Sequence, residues 1–248
     1  MNNKTLQQMY FEHHGKVSDK WSLYLREYDR IFGPYRSSKI AMLEIGIQNG
    51  GSLEIWSKFF PHAEKFIGCD IDPECARLRY DDPRIVVVTA DANQDETEQT
   101  IISHASAFDI IIDDGSHLSS DIVKSFVRYF PYLKQGGVFV AEDLHCSYWS
   151  EFEGGLVDPT SSINFFKLLA DIVNYEHWGI ANSRADLLAM FAQQYQVHFD
   201  EVMLSQIHSV EFINSICVIH KAPAQANVLG ERVIIGEDEL VASNVKTY

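Results

Sequence analysis

From residue 40 onward, short apolar runs alternate along the chain with amphipathic stretches. The runs have the length of strands, and the stretches repeat apolar residues at helical spacing, as in Ile122, Phe126 and Phe130. This β-α repetition predicts an α/β fold with a doubly wound, Rossmann-like parallel sheet. Strands are predicted over 40–47, 65–71, 84–91, 108–114 and 136–143, and helices from near Ser52, from Pro73, over 94–105 and over 119–133.

The chain after the fifth predicted strand departs from this repetition. An insertion over about 144–200 contains helical stretches around 162–175 and 184–196. The runs IHSVEFI and SICVIHK then predict an antiparallel hairpin, which an all-parallel dinucleotide-binding sheet lacks. We therefore expect an N-terminal helical cap or lid over 1–39, a main domain over 40–222 and a C-terminal tail over 223–248.

Composition narrows the range of partners. The net charge of -15 argues against nucleic-acid binding, which requires a basic patch. The amino terminus lacks the apolar core of a signal peptide, and no apolar run approaches the roughly 20 residues that span a bilayer. The four cysteines have no CxxC spacing and suit buried, reduced thiols. We expect a cytoplasmic protein without a membrane partner, and the aromatic-rich first 39 residues suit a homo-oligomer.

Acidic residues end two of the predicted strands. Asp114 closes FDIIIDD, and Glu142 and Asp143 close GGVFVAED. Ligands bind at the carboxyl ends of strands in a parallel sheet, so these carboxylates converge if their strands are neighbours. Clustered carboxylates remain ionised together only around a cation, which predicts a site for a hard divalent metal. His117 is expected beside that metal as a titratable group.

The segment LEIGIQNGGS has the order of a cofactor pocket, with a strand, a glycine turn and the start of a helix. Gly46 allows a tight turn, and Gly50 and Gly51 allow close approach of the backbone. Ser52 can cap the following helix. Gln48 occupies the second glycine position of a dinucleotide fingerprint, which weakens an interpretation as an NAD site.

Three further acidic residues predict the kind of cofactor. Glu44 would repel a pyrophosphate and suits a ligand that carries an amine. Asp70 ends the second predicted strand, where an acidic residue accepts hydrogen bonds from a ribose. Asp91 ends the third and can accept from an adenine amino group. A nucleoside joined to an amino acid fits this set, and S-adenosylmethionine is such a molecule. Each of these residues alone is equally well explained as a turn or a cap.

The motifs VSDKW, LEIGIQNGGSLEIWSKFFP, GCDIDP, IIDDGSH and GGVFVAEDLHCSYW are similar to those of class I S-adenosylmethionine-dependent methyltransferases. The chain most resembles the metal-dependent sugar O-methyltransferases of macrolide-antibiotic biosynthesis, of the mycinamicin and tylosin type. The resemblance covers about residues 16–150 and, more weakly, the hairpin near 208–221. It implies a class I methyltransferase sheet. It also implies metal binding by Asp114, Glu142 and Asp143, a general base at His117, and cofactor contacts at Glu44, Gly46, Ser52, Asp70 and Asp91.

The expected reaction is methylation of a hydroxyl on a sugar or glycosylated natural product. A divalent cation lowers the pKa of a hydroxyl bound to it, and His117 can then accept the proton. Oxygen ligands favour Mg²⁺, with Mn²⁺ as a possible substitute. His145 is an alternative base ranked below His117, and Asp113 is left without a role.

Other functions fit parts of the pattern. A catechol-like acceptor needs the same metal chemistry, and a non-heme iron hydroxylase would need a second well-placed histidine. A non-catalytic module that binds S-adenosylmethionine is a further alternative. Lys20, Trp21 and Tyr24 are either part of a lid or an ordinary packed helix. Tyr148 and Trp149 either wall the acceptor pocket or serve packing alone.

Overall fold

The computed structural model describes residues 4–238 and 241. Its centre is a seven-stranded sheet in the order β3-β2-β1-β4-β5-β7-β6, in which β7 runs antiparallel to both of its neighbours. This arrangement confirms the predicted class I methyltransferase sheet with its C-terminal hairpin. The strands are β1 Ala41–Ile45, β2 Lys65–Asp70, β3 Ile85–Thr89, β4 Phe108–Asp113, β5 Leu133–Ala141, β6 Ile207–Ile213 and β7 Ile216–Lys221.

Helices cover both faces of the sheet. Successive residues of β4 show this, because Ile110 and Ile112 join one apolar cluster while Ile111 joins the cluster on the opposite face. The helices are α1 Leu6–Phe11, α2 Ser22–Phe32, α3 Gly51–Phe59, α4 Asp95–His104, α5 Ser119–Tyr129, α6 Ser162–Val173, α7 Arg184–Leu187, α8 Ala189–Tyr195 and α9 Glu201–Ser205.

Two predicted helices are shorter than expected. After β2, the helix expected from Pro73 is a single 3-10 stretch, Pro73–Arg77. It ends early because the chain turns back to the glycine loop, where the Tyr80 hydroxyl donates to the Gly50 carbonyl at 2.9 Å. The helix predicted over 119–133 ends as an α-helix at Tyr129 and continues as a 3-10 turn over Phe130–Tyr132, because Pro131 has no backbone N–H to donate to the preceding turn.

The N-terminal segment is packed against the main sheet. Tyr28 and Phe32 of α2 make aromatic contacts with Trp56 of α3, and all three are fully buried. The backbone N–H of Gly51 donates to the Val17 carbonyl at 3.1 Å. These contacts hold the loop between α1 and α2 across the carboxyl ends of the central strands. The division into cap, main domain and tail remains a prediction, and tail residues 239–240 and 242–248 lie outside the described residues.

All four cysteines are buried and unpaired, as expected for reduced thiols. Within the described residues, no helix is both long and apolar enough to cross a membrane.

Candidate active site

The acidic residues meet because β4 lies between β1 and β5, and all three strands are parallel. Asp114 is the first residue past β4, and its N–H donates to the Ile45 carbonyl of β1 at 2.8 Å. Glu142 follows β5 in the same way, with its N–H donating to the Asp113 carbonyl at 2.8 Å. The predicted neighbourhood of these two strand ends is therefore confirmed.

Asp114, His117 and Asp143 form a candidate metal cluster. Each offers one ligand atom, and these atoms all lie within 4.8 Å of one another. His117 Nε2 lies 3.6 Å from Asp143 Oδ2. His117 and Asp143 both have left-handed backbone, with φ of 61° and 51°. That conformation is costly for residues other than glycine and occurs preferentially at functional sites.

Glu142, the third predicted metal ligand, is not part of this cluster. Its side chain is 1% exposed, and Oε1 accepts from Lys20 Nζ at 2.7 Å and from the Tyr28 hydroxyl at 2.6 Å. Burial, reinforced by the charge of Asp114, raises the pKa of Glu142 to about 8.

The side chain of Lys20, from the loop before α2, lies among three of these carboxylates. Its Nζ lies 2.5 Å from Asp114 Oδ2 and 3.5 Å from Glu44 Oε1, and its side chain is 3% exposed. Burial alone would lower the pKa of Lys20, but Asp114, Glu142 and Glu44 raise it well above its usual value. Lys20 is thus a buried ammonium inside an acidic cluster. The sequence left Lys20 either as part of a lid or as part of an ordinary packed helix.

The end of this loop and the first turn of α2 also reach Asp143. The Trp21 indole N–H donates to Asp143 Oδ1 at 3.0 Å, and the Tyr24 hydroxyl donates to the same oxygen at 2.7 Å. Burial raises the pKa of Tyr24, so the phenol keeps the proton that it donates. Lys20, Trp21 and Tyr24, for which the sequence left open a lid or an ordinary packed helix, thus all contact the acidic residues at the strand ends.

A cavity of about 470 Å³ lies between this loop and the ends of the central strands. Such a volume is in the range of small-molecule sites. Most of the predicted cofactor residues line it, but Gly51 does not. The lining includes Glu44, Gly46, Ser52, Asp70 and Asp91 together with Asp114, His117, Glu142 and Asp143.

Two positions of the glycine turn at the cavity wall exclude a side chain, each for a different reason. Gly46 has φ of 83°, and a Cβ there would overlap the backbone carbonyl of Asp114. A Cβ on Gly51 would overlap the carbonyls of Lys16 and Val17, so this glycine admits the N-terminal loop rather than a cofactor.

Ser52 does not cap α3, contrary to the prediction. Gly50 is the N-cap, and Ser52 lies inside the first turn. Its hydroxyl donates to Glu44 Oε2 at 2.7 Å. Glu44 is fully buried, its Oε1 has no hydrogen-bond partner, and burial raises its pKa. A buried carboxylate oxygen that accepts no hydrogen bond, with the Lys20 ammonium 3.5 Å away, can take a donor from a cationic ligand in the cavity.

Asp70 and Asp91 both shape the cavity wall. Asp70 Oδ2 accepts from the N–H groups of Ile47 and Gln48, both at 2.8 Å. Asp91 Oδ1 accepts from the Asn93 N–H at 2.9 Å. Each carboxylate retains lone pairs that can face a ligand.

Asp113 and His145 hold supporting positions. Asp113 is buried, accepts a hydrogen bond from Ser125, and has its pKa raised to about 7 by burial. His145 Nδ1 lies 2.5 Å from the Ser215 hydroxyl and 3.9 Å from Asp143 Oδ1. His117 is therefore the histidine nearer to Asp143.

Residues 43–144 match a family described as a methyltransferase domain. A crystal structure of the MycE methyltransferase from the mycinamycin biosynthetic pathway, in complex with Mg and SAH, superposes with a TM-score of 0.73 at 24% identity. That alignment covers 89% of this chain and 55% of MycE. The sheet order and the matched residues together define a methyltransferase domain with the class I fold.

Within that class, the chain resembles sugar O-methyltransferases, as predicted. It is 35% identical over 171 residues to a rhamnosyl tetracenomycin-C 2'-O-methyltransferase of Streptomyces olivaceus. That alignment covers 65% of this chain and 44% of the relative. It is 36% identical over 160 residues to the mycinamicin VI 2''-O-methyltransferase of Micromonospora griseorubida, covering 60% of this chain and 39% of the relative. The chain thus spans less than half the length of these curated relatives.

Proposed function

We propose that this protein transfers a methyl group from S-adenosylmethionine to a sugar hydroxyl of a glycosylated natural product, and that the reaction depends on a divalent cation. The observation that carries the proposal is the cluster of Asp114, His117 and Asp143 at the wall of the cavity. The names of the relatives support the acceptor class, since they describe 2'-O-methylation of a rhamnosyl tetracenomycin C and 2''-O-methylation of mycinamicin VI.

The cavity offers suitable partners for the methyl donor. Glu44 has a buried oxygen without a hydrogen-bond partner and can receive the amine of the amino-acid part. Asp70 ends β2 beside the glycine turn, where a ribose is recognised in related sheets. Asp91 lies past β3 and can accept from an adenine amino group. Acidic groups throughout suit a donor that carries a positively charged sulfonium.

The residues present fit a divalent cation. Asp114 and Asp143 supply carboxylate oxygens beside the His117 imidazole, and Glu142 is the adjacent carboxylate. Mg²⁺ is the first candidate because oxygen ligands predominate, and Mn²⁺ is the expected substitute. When bound, such an ion lowers the pKa of a coordinated hydroxyl and so makes it a better nucleophile.

The chain's own groups then handle the proton and the orientation of the acceptor. As the acceptor oxygen forms a bond to the methyl carbon, the carbon–sulfur bond breaks and its electron pair returns to sulfur. The hydroxyl proton passes to the His117 imidazole, the side chain that most often serves as a general base. Asp143 lies 3.6 Å from His117 Nε2 and can stabilise the imidazolium that forms.

Aromatic side chains provide a surface for the sugar acceptor. Trp21 is 59% exposed and Trp149 is 47% exposed, although both are large and apolar. Both rings make edge contacts with the His145 ring, with centroid distances of 5.8 Å and 5.1 Å. Phe152 continues this row from Trp149 to His117. Exposed aromatic rings beside a polar cluster are typical of sites that orient small molecules.

The test is a methyl-transfer assay with a panel of glycosides, S-adenosylmethionine and Mg²⁺. We expect turnover of at least one glycoside, its loss in EDTA and its recovery with Mn²⁺. His117→Ala should lower kcat by about 10²–10⁴-fold, the usual contribution of a general base. His104→Ala, an exposed histidine at the end of α4, is the matched control.

Turnover of catechols without any glycoside would contradict the acceptor class. Full activity of both His117→Ala and Asp114→Asn would contradict the catalytic assignment altogether.

A further inference from the structure

The Lys20 ammonium occupies a place that a cation-binding site would reserve for its ion. It donates to Asp114 Oδ2 at 2.5 Å and to Glu142 Oε1 at 2.7 Å, and Glu44 Oε1 lies 3.5 Å away. Three carboxylates this close together, two of them buried, repel one another strongly unless a positive charge separates them. In the described structure, the charge that does so comes from the N-terminal loop.

Two of the predicted metal ligands are therefore shared with this ammonium. Asp114 belongs to the candidate metal cluster, yet one of its oxygens is taken by Lys20. Glu142 Oε1 accepts from both Lys20 and Tyr28, and Glu142 is not part of the cluster of Asp114, His117 and Asp143. A divalent ion that recruits Glu142 must draw its carboxylate from the ammonium.

We propose that Lys20 is an internal cation that competes with the divalent metal for Asp114 and Glu142. Lys20 is thus a positioning residue, which holds the loop over the cavity and weakens metal binding. This inference rests on the cation site of the proposed function, but it concerns metal affinity rather than methyl transfer. Metal binding at Glu142 displaces the ammonium and loosens the loop at residues 16–21.

Titration calorimetry with Mg²⁺ alone tests the competition, without methyl donor or acceptor. In Lys20→Met, the two carboxylates are left to the metal, and Mg²⁺ should bind at least about 10-fold more tightly than in the wild type. Without metal, the same variant should lose about 10 °C in Tm because buried charges remain uncompensated. Added Mg²⁺ should restore most of that loss.

Lys16→Met is the matched control. Lys16 belongs to the same loop and pairs with Glu54 Oε1 at 2.6 Å, but Glu54 is not among the cavity-lining carboxylates. Its Mg²⁺ affinity should stay within about twofold of the wild type, as expected for independent sites. An equal gain in both variants would show that loosening of the loop, rather than the Lys20 charge, sets the affinity.

A second variant and a measurement on the wild type cover the case in which Lys20→Met does not fold. Lys20→Met/Glu142→Gln removes one negative charge together with the ammonium, so it should be more stable than Lys20→Met and bind Mg²⁺ no more tightly than the wild type. In the wild-type protein, Mg²⁺ should speed amide hydrogen exchange at residues 16–21.

Unchanged or weaker Mg²⁺ binding in Lys20→Met would overturn the proposal. Slower exchange of residues 16–21 in wild-type protein with Mg²⁺ would overturn it as well. A protein that shows the expected metal affinities and exchange but methylates no acceptor would count against the proposed function alone.

Discussion

Single residues with unusual backbone define the geometry of the site. Gly46, His117 and Asp143 all have left-handed φ, and all three line the same cavity. Gly46 is the most constrained of them because a side chain there would overlap the Asp114 carbonyl. The turn after β1 and the acidic end of β4 are thereby held in direct contact.

Gly46→Ala should disrupt both stability and cofactor binding. The added methyl group must move either the turn or Asp114, so we expect a loss of about 3 kcal/mol or more in the free energy of unfolding and at least about 10-fold weaker binding of S-adenosylhomocysteine. Urea unfolding and calorimetry measure the two effects.

Gly136→Ala separates the effect of steric overlap at the added methyl group from the effect of a positive φ. Gly136 has a similar φ of 81°, but nothing lies within 4 Å of the added Cβ. It should cost about 1 kcal/mol and leave cofactor binding unchanged. Equal effects of the two substitutions would refute the role of the contact between Gly46 and Asp114.

Residue-level prediction from the sequence succeeds where a motif is local and fails for distant contacts. Asp114 and His117 lie in one short segment, so their joint appearance at a strand end is predictable. Lys20 is 94 residues from Asp114 and 122 from Glu142, and nothing in VSDKW distinguishes it from a surface lysine. Ser52 was expected to cap α3, but the local rule is overridden by the buried Glu44 that it contacts.

At the scale of elements, the order β1-β4-β5-β7 places the site and also buries the end of the hairpin. The strands were predictable because their apolar runs are continuous, as suits burial on both faces. The short Pro73–Arg77 stretch was not predictable, because its length depends on the contact of Tyr80 with the glycine turn.

At the end of β7, Lys221 is buried, and its Nζ donates to the carbonyls of Phe130 and Pro131, both at 3.0 Å.

Lys221 should make the stability of the fold depend on alkaline pH. Burial lowers its pKa to about 8, from 10.5 for an ordinary lysine. Between these values the unfolded chain binds a proton that the folded chain has lost, so stability rises with pH across this window. Relative to Lys221→Met, wild-type protein should gain about 1–3 kcal/mol on going from pH 8 to pH 10.5.

Urea unfolding at several pH values measures this difference. Lys58→Met, at an exposed lysine of α3, should show no such trend relative to wild type. A difference between wild type and Lys221→Met that stays flat or falls over this pH range would contradict the burial argument.

At the scale of the whole molecule, the N-terminal helices and the sheet enclose the cavity together. Lys20, Trp21 and Tyr24 form hydrogen bonds with residues past β4 and β5, so the loop between α1 and α2 and the first turn of α2 belong to the site. The chain spans less than half the length of its curated relatives. The homo-oligomer and the cytoplasmic location expected from the sequence remain predictions.

The most direct test of the account is anomalous diffraction from crystals grown with Mn²⁺ and S-adenosylhomocysteine. We predict one strong manganese peak within coordination distance of carboxylate oxygens of Asp114 and Asp143, beside the His117 imidazole and the sulfur of the cofactor product. Adenosylhomocysteine bound in the cavity with no manganese at these side chains, at a Mn²⁺ concentration that supports turnover, would contradict the account.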